Sequence, residues 1–292
     1  MMNRSTAVIT GGTDGIGREM IGPLLEQGFK VLFVGRNAMK GSQVAAQHAA
    51  YHDQLVYIQA DLSLMKEVNR VAEVIIHHCP QGLGLLVHSA GIILPKRDLT
   101  EDGIERTWAV DYLSRYYLTA LLTDKLIQGQ PSRVITIAAS STRKGKLHWD
   151  DLEGAMRIGG LKGLGQAQYA NDVFIVELAR RFKGQQVQCL AVNPGAVETQ
   201  IRRELPQAMM KLMGFFFRSS VLNAREGAEA PLQLALSKEM DRIMGSGQAG
   251  LYHRQAKLSI SPDRADAAVG ARLWELSERM IHRTMTKGRE SR

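Results

Sequence analysis

The strongest constraint on the fold of this 292-residue chain is the alternation of short, continuously apolar runs with longer segments of helical spacing. The apolar runs are residues 7–10, 31–35, 55–60, 83–90, 133–139 and 187–192, and the helical segments are 17–28, 65–78, 103–128 and 164–183. Continuous apolar runs are typical of strands that are buried on both faces. Strand–helix alternation connects parallel strands through crossovers. The sequence therefore predicts one α/β domain over residues 1–292, with a doubly wound parallel sheet of the Rossmann type.

Composition excludes several classes of protein. No apolar run reaches the ~18 residues that a membrane-spanning helix needs. Cys79 and Cys189 are too few for a disulfide framework or a metal site, so we expect a cytoplasmic protein without a metal. The net charge of +8 comes partly from residues 142–146 and partly from residues 284–292. We predict that residues 284–292 are a flexible tail. These basic residues are either solvated or attract anionic ligands. Because no aromatic residues are interleaved with them, we expect no nucleic-acid partner.

Two long segments, residues 140–163 and 199–225, interrupt the alternation. Long loops in a compact domain are commonly functional, and in an open α/β sheet they lie where ligands bind. The second segment contains LPQAMMKLMGFFF, whose adaptable Met and Phe side chains suit a helical lid over a hydrophobic ligand. The alternatives are core packing or a dimer contact, and shallow contact with a membrane surface.

The segment TGGTDGIG lies between the first predicted strand and the first predicted helix. Gly11, Gly15 and Gly17 permit a tight turn and let the backbone approach a pyrophosphate, which the free N–H groups of the helix would bind. The alternative is a tight turn without a ligand. The second strand ends in Gly35 and Arg36, where an acidic residue usually meets the ribose of NAD. Because a guanidinium suits a 2′-phosphate, we expect NADP(H), unless Arg36 is only a solvated residue at a helix start.

Further motifs make the chain resemble the short-chain dehydrogenase/reductase superfamily, particularly its retinol-dehydrogenase-like branch. The motifs are TGGTDGIG, ADLS (60–63), HSAG (88–91), WAVDYLSRYYLT (108–119), RVITIAAS (133–140), ELARRF (177–182) and NPGAVET (193–199). The resemblance implies that Asp61 and Leu62 flank an adenine, and that Thr199 and the NPG turn hold a nicotinamide carboxamide. The other cofactor contacts that it implies are Thr13, Ile16, Ala90, Gly91, Gln168, Pro194, Gly195 and Val197. It also implies a homodimer formed through the helices at 103–128 and 164–183.

The catalytic positions depart from the pattern of this family. Members of the family use an Asn–Ser–Tyr–Lys tetrad, in which Tyr transfers a proton and Lys lowers the pKa of Tyr and holds the ribose. By resemblance, the four positions are occupied here by Asp111, Ala139, Leu164 and Gln168. Moving Tyr169 into the Tyr position would require a slip of roughly 140° around the helix. Ser140 lies one residue beyond the Ser position, on the other face of a regular strand, although a curl of the strand end would return it to the site.

Asp111 is the predicted replacement for the missing proton donor. A carboxyl group in a desolvated site has a raised pKa and can act as acid or base. The alternative is a carboxylate that is satisfied by backbone donors. Ser140 and Gln168 are the other catalytic candidates, and the Gln168 amide could still donate a hydrogen bond to a ribose hydroxyl.

Four histidine and acidic positions outside the tetrad are further candidates. His148 and the pair Asp150 and Asp151 lie in the loop after the fifth strand. A histidine there titrates near neutral pH and could shuttle protons, or it is a surface residue. His88 replaces an Asn of the family pattern, and we expect it to make a structural hydrogen bond.

Three functions are compatible with these residues. In the first, which we predict, the chain binds NADP(H) and promotes non-redox cyclisation, isomerisation or dehydration of a hydrophobic, polyketide- or terpenoid-like molecule through orientation and one acid or base. In the second, it is an atypical NADPH-dependent reductase of an iminium, enone or carbonyl. In the third, it is a non-catalytic regulator that binds a nucleotide. The first is preferred because a positioned proton donor is worth ~10²–10⁴ in rate, and neither Leu164 nor Gln168 can supply one.

Overall fold

The computed structural model describes residues 5–138, 146–198, 221–237 and 248–290. The strands in these ranges are β1 (Thr6–Thr10), β2 (Lys30–Gly35), β3 (Leu55–Gln59), β4 (Leu85–His88), β5 (Ser132–Ile137), β6 (Val187–Asn193), β7 (Ala249–His253) and β8 (Ala256–Leu258). They form one sheet in the order β3-β2-β1-β4-β5-β6-β7-β8. The strands β1 to β7 run parallel, and β8 is antiparallel to β7. The order reverses between β1 and β4, which opens a crevice at the carboxyl edge of the sheet.

Helices cover both faces of the sheet. They are α1 (Gly15–Glu26), α2 (Ala38–Gln47), α3 (Met65–His78), α4 (Arg106–Trp108), α5 (Ser114–Leu121), α6 (Thr123–Gln128), α7 (Gly160–Arg181), α8 (Ala224–Leu236), α9 (Pro262–Ala265) and α10 (Ala267–Glu290). Strand side chains alternate between two cores: Val8 and Leu32 pack with α3, α5 and α7, whereas Ala7 and Ile9 pack with α1 and α8. The predicted doubly wound α/β sheet is therefore confirmed.

The two strands at the β7–β8 edge were not predicted from the sequence. β7 has the sequence AGLYH, and β8 is a largely exposed three-residue strand, AKL. Neither contains the continuous apolar run that marks a strand buried on both faces, so the pattern gives them no signal.

Helix α10 differs from the prediction in two respects. It runs through Glu290, so residues 284–290 of the predicted flexible tail are helical. Its buried residues Met280, Ile281 and Thr284 hold this part of the helix against the core. The apolar face outweighs the basic composition that suggested a solvated tail.

The same helix packs against α5 and α7, which lie within the segments that we expected to form a homodimer. Its Trp274 ring lies 4.8 Å, centroid to centroid, from the Tyr116 ring of α5 and 6.3 Å from the Phe174 ring of α7. The Ser277 hydroxyl lies 2.8 Å from the Tyr112 hydroxyl in a buried hydrogen bond. A second copy therefore cannot pack on this surface of α5 and α7 without displacing α10.

The predicted lid at 199–225 is described only from residue 221 onward. There Leu222 forms a parallel bridge with Val197, and Asn223 caps α8 in a capping box with Glu226. The rest of this segment lies outside the described residues, as do Ala139, Ser140 and Thr199.

Candidate active site

A cleft of about 460 Å³ follows the carboxyl edge of the parallel strands. It has a β2 end, formed by Arg36, Asn37 and Lys40, and a β5 end, formed by Asp111, Arg115, Leu164 and Gln168. The other predicted cofactor residues that line it are Gly11, Thr13, Gly15, Ile16, Asp61, Leu62, Ala90, Gly91, Pro194, Gly195 and Val197. The structure therefore brings almost all of the predicted and described cofactor residues to one continuous surface.

The glycine-rich turn between β1 and α1 forms the floor of the cleft. Gly11 has φ +71°, and a Cβ atom there would lie 2.7 Å from the backbone of Ala90. Gly17, which we predicted to contact the cofactor, does not line the cleft. A Cβ atom at Gly17 would lie 2.6 Å from the carbonyl oxygen of Gly11, so this glycine permits close packing of α1 on the turn.

The β2 end of the cleft is rich in cations. Arg36 follows β2 and is exposed, and Lys40 lies in the first turn of α2. The Lys40 Nζ atom lies 2.5 Å from the Asp14 Oδ2 atom, across the mouth of the cleft. Together with the N-terminus of α1, this set of donors fits a phosphorylated nucleotide. The sequence analysis missed Asp14 and Lys40, although Lys40 follows Arg36 by only four residues.

Two neutral side chains of α7 occupy the β5 end. Leu164 and Gln168 both line the cleft, at the positions that the resemblance assigned to Tyr and Lys. Tyr169 is turned elsewhere: its hydroxyl donates to the Asp263 Oδ2 atom at 2.7 Å, and the Arg264 guanidinium lies 4.8 Å from the centre of its ring. Tyr169 therefore does not supply a proton at this end of the cleft.

Asp111 is the acidic group at the β5 end. It lies in a π-helical turn, Ala109–Leu113, and is buried. The backbone N–H of Ile92 donates to its Oδ1 atom at 2.8 Å. Burial raises the pKa of Asp111 to about 7, against the opposing effects of the Arg115 charge and the Ile92 hydrogen bond. The carboxyl group can therefore exchange a proton near neutral pH.

Arg115, one helical turn after Asp111, is a functional candidate that the sequence analysis missed. Its side chain is buried and lines the cleft. The Nη2 atom donates to the Ala90 carbonyl at 2.7 Å, and the Nη1 atom donates to the Ile137 carbonyl at 3.1 Å. The guanidinium thus joins the carboxyl ends of β4 and β5 and places a positive charge near Asp111. The i, i+4 spacing of the two charges was the available signal.

Asn171 completes this end of the cleft. It contacts the π-helical turn that contains Asp111, and such turns are frequent at functional sites. The Asn171 amide donates to the Asp111 carbonyl at 2.8 Å and to the Ala167 carbonyl at 2.8 Å. Its Oδ1 atom is buried and has no partner among the described residues. A ligand hydroxyl or amide could donate to this oxygen.

The loop residues that we considered as proton carriers lie away from the cleft. His148 lines a separate surface depression, and its backbone N–H donates to Gln166 at 2.7 Å. Asp150 pairs with Arg157. Burial favours a higher pKa for Asp151, but hydrogen bonds from three backbone N–H groups outweigh it and lower this pKa. None of the three contributes a side chain to the cleft.

His88 makes the structural hydrogen bond that we expected. Its Nε2 atom lies 2.8 Å from the Thr119 hydroxyl. Burial, reinforced by the Arg115 charge, holds the pKa of His88 well below its ordinary value. The imidazole is therefore neutral and helps to fix β4 against α5.

The described residues form neither a metal site nor a membrane-spanning helix. No group of three or more His, Cys, Asp or Glu side chains there could hold a metal ion. In the same residues, no helix is both long and apolar enough to span a membrane.

Comparison with known proteins agrees with this architecture. The family model "short chain dehydrogenase" matches residues 5–150. Retinol dehydrogenase 12 of Mus musculus is 30% identical over 275 residues, which are 92% of this chain and 84% of that protein. Retinol dehydrogenase 11 of Homo sapiens is 28% identical over 272 residues, which are 92% of this chain and 83% of that protein.

Solved structures share the fold. An uncharacterised protein from Mycobacterium paratuberculosis superposes with a TM-score of 0.72 and 25% identity, covering 95% of this chain and 93% of that one. A short-chain dehydrogenase from Burkholderia cenocepacia, solved in complex with NADP, has a TM-score of 0.67 and 22% identity, covering 87% of this chain and 97% of that one. With the sheet order, the glycine turn and the family match together, the chain belongs to the short-chain dehydrogenase family.

Proposed function

We propose that this protein is an NADP(H)-dependent oxidoreductase that acts on an apolar small molecule and uses Asp111 as its proton donor. The observation that carries the proposal is the β5 end of the cleft. There a buried carboxyl with a pKa of about 7 lies beside two neutral side chains, Leu164 and Gln168.

NADP(H) is supported by the β2 end of the cleft and by the relatives. Arg36 and Lys40 would hold a 2′-phosphate, and the N–H groups at the start of α1 would hold the pyrophosphate. The Burkholderia cenocepacia relative was solved in complex with NADP. Curated retinol dehydrogenases are similar over most of the chain, which favours a redox reaction over our first prediction from sequence.

A bound NADPH would supply the hydride. Asp111 would supply the proton: its Oδ1 atom is engaged by Ile92, so the proton is held at Oδ2. Arg115 fixes the strand ends that frame this group. Gln168 can donate a hydrogen bond to a ribose hydroxyl but carries no charge, and Leu164 excludes water. Aldehydes and enones, whose reduction to a neutral product consumes one proton, suit this arrangement best. An iminium ion consumes no proton and would not need Asp111.

An apolar substrate is supported by the walls of the cleft. Ile92, Ile93, Val110 and Leu164 line it with aliphatic side chains. Val197 also lines the cleft and pairs with Leu222, so Leu222, at the far end of the predicted lid segment, is joined to the wall of the cleft. This closeness favours the predicted lid role for residues 199–225.

Non-redox cyclisation, isomerisation or dehydration is the second candidate. It is favoured by the same carboxyl group, because one acid or base in an apolar cleft is sufficient for such reactions. It leaves the bound NADP(H) without a chemical role, which is why we rank it below the reductase.

One experiment separates these functions. The protein is incubated with NADPH and a panel of apolar aldehydes, iminium ions and enones, while NADPH absorbance and product mass are followed. Oxidation of NADPH with an aldehyde or enone that falls by about 10²–10⁴ in Asp111→Asn, while oxidation with an iminium ion does not, supports the reductase. Product without NADPH loss supports the non-redox reaction, and NADPH binding without any product supports a regulator. Tyr169→Phe is the matched control, since that hydroxyl lies outside the cleft.

A further inference from the structure

An ion pair crosses the mouth of the cleft at its β2 end. Asp14 lies inside the glycine-rich turn and Lys40 lies in the first turn of α2, with 2.5 Å between the Oδ2 and Nζ atoms. The side chains are 34% and 32% exposed, respectively, so the pair is neither fully solvated nor sealed from a ligand. Both residues line the cleft.

Asp14 also accepts a hydrogen bond at the N-terminus of α1, where an anionic ligand would bind. It is the N-cap of α1, and its Oδ1 atom accepts from the Gly15 N–H at 2.8 Å. A carboxylate at a helix N-terminus is stabilised by the same free N–H groups and partial positive charge that bind phosphates. An internal anion therefore already occupies part of the electropositive surface.

Lys40 pairs with this carboxylate and lines the same end of the cleft as Arg36. The start of α2 is fixed by Asn37, whose side chain accepts from the Lys40 backbone N–H at 3.0 Å. Arg36 is exposed at the end of β2, immediately before that cap. A phosphate placed at Arg36 and Lys40 would thus meet two cations, one of which is already paired with Asp14.

We propose that Asp14 is a specificity-determining residue that competes with the 2′-phosphate of NADP(H) for Lys40 and so weakens the preference of the cleft for NADP(H) over NAD(H). The inference rests on the proposed function, because it requires NADP(H) to bind in this cleft. Partly exposed ion pairs are worth little, so the expected change in affinity is modest, roughly two- to fivefold.

The test is Asp14→Asn in the full-length protein. Asparagine is an equally good N-cap, so the substitution removes the charge and keeps the start of α1. Dissociation constants for NADP⁺ and NAD⁺ are measured by calorimetry at low and high salt, with Lys40→Met and Arg36→Met as matched controls. Asp14→Ser, which also caps, provides a second variant, and thermal unfolding confirms that each variant is folded.

We expect Asp14→Asn to tighten NADP⁺ roughly two- to fivefold and NAD⁺ by less, with the difference reduced at high salt because salt screens exposed charges. Weaker NADP⁺ binding in Asp14→Asn would instead mean that Asp14 holds Lys40 in position for the 2′-phosphate. Equal tightening of NADP⁺ and NAD⁺ would mean that Asp14 repels the pyrophosphate, which both dinucleotides share. Either result overturns the inference and leaves the proposed function intact. Failure of the wild type to bind NADP⁺, or unchanged NADP⁺ affinity in both control variants, overturns the cofactor proposal as well.

Discussion

Substitution of Asp111 by Asn should change protein stability by an amount that depends on pH in a defined direction. Burial raises the pKa of this carboxyl from its ordinary 3.8 to about 7. Below pH 3.8 the group is protonated in both the folded and the unfolded chain, and between these two values it is protonated only in the folded chain. The stability that the proton confers is therefore fully present at low pH, falls as the pH rises towards 7, and is absent above it.

The magnitude follows from the separation of the two pKa values. A difference between 3.8 and about 7 corresponds to about 4 kcal/mol, which is the cost of carrying the buried charge at pH 8. Asparagine has the same shape, and its Oδ1 atom can still accept from the Ile92 N–H. The unfolding free energy of the variant should therefore exceed that of the wild type by only about 1 kcal/mol at pH 4.5 and by up to about 4 kcal/mol at pH 8.5. Loss of the charge interaction between Asp111 and Arg115 in the variant would reduce the excess at high pH.

The assay is urea unfolding, followed by tryptophan fluorescence, of both proteins at intervals from pH 4.5 to 8.5. Asp151→Asn is the matched control: the pKa of Asp151 is lowered, so this carboxyl stays ionised in the folded and unfolded chains throughout that range. Its stability difference from the wild type should therefore be constant. The reasoning fails if the Asp111→Asn difference is equally constant, or if it grows towards low pH.

Three further outcomes are expected. Tyr169→Phe should leave turnover unchanged and cost about 1 kcal/mol of stability, because the hydrogen bond to Asp263 is lost. A lower turnover in steady-state kinetics would show that the Tyr169 hydroxyl takes part in the reaction. The double substitution Leu164→Tyr with Gln168→Lys should raise carbonyl reduction by about 10²–10⁴, measured as NADPH oxidation, whereas Gln168→Lys alone should not. Trp274→Ala should cost about 3 kcal/mol in urea unfolding, and an unchanged midpoint would show that α10 is dispensable for stability.

The sheet and the cofactor turn were accessible from sequence because their signals are local. A strand buried on both faces reads as an apolar run wherever it occurs, as in residues 7–10 and 31–35. The glycine turn is defined by residues within one short segment. Prediction of both required no knowledge of distant contacts.

Arg115 was not accessible in the same way. Its hydrogen-bond partners are main-chain carbonyls of Ala90 and Ile137, which any residue type could provide. No side-chain pattern in the sequence marks such partners, so the role of the arginine emerges only when β4 and β5 are placed beside α5. Asp111 was predicted because it occupies the position of a catalytic residue in the family pattern. Its interactions with Ile92 and Arg115 were not predicted.

The role of α10 was hidden by its composition. Its last turns carry several basic residues, which resemble a solvated tail, while its buried positions Leu273, Met280 and Ile281 are widely spaced. This apolar stripe becomes significant only against the aromatic surface of α5 and α7.

The position of α10 in the chain affects how the protein is made. It follows every other described element, so it leaves the ribosome after α5 and α7 have had time to fold on the sheet. Until it arrives, Tyr116 and Phe174 present an aromatic surface to solvent. Exposed apolar surfaces of this kind are the common starting point of aggregation during synthesis. Slowing translation before α10 has emerged from the ribosome should therefore increase the demand for chaperones.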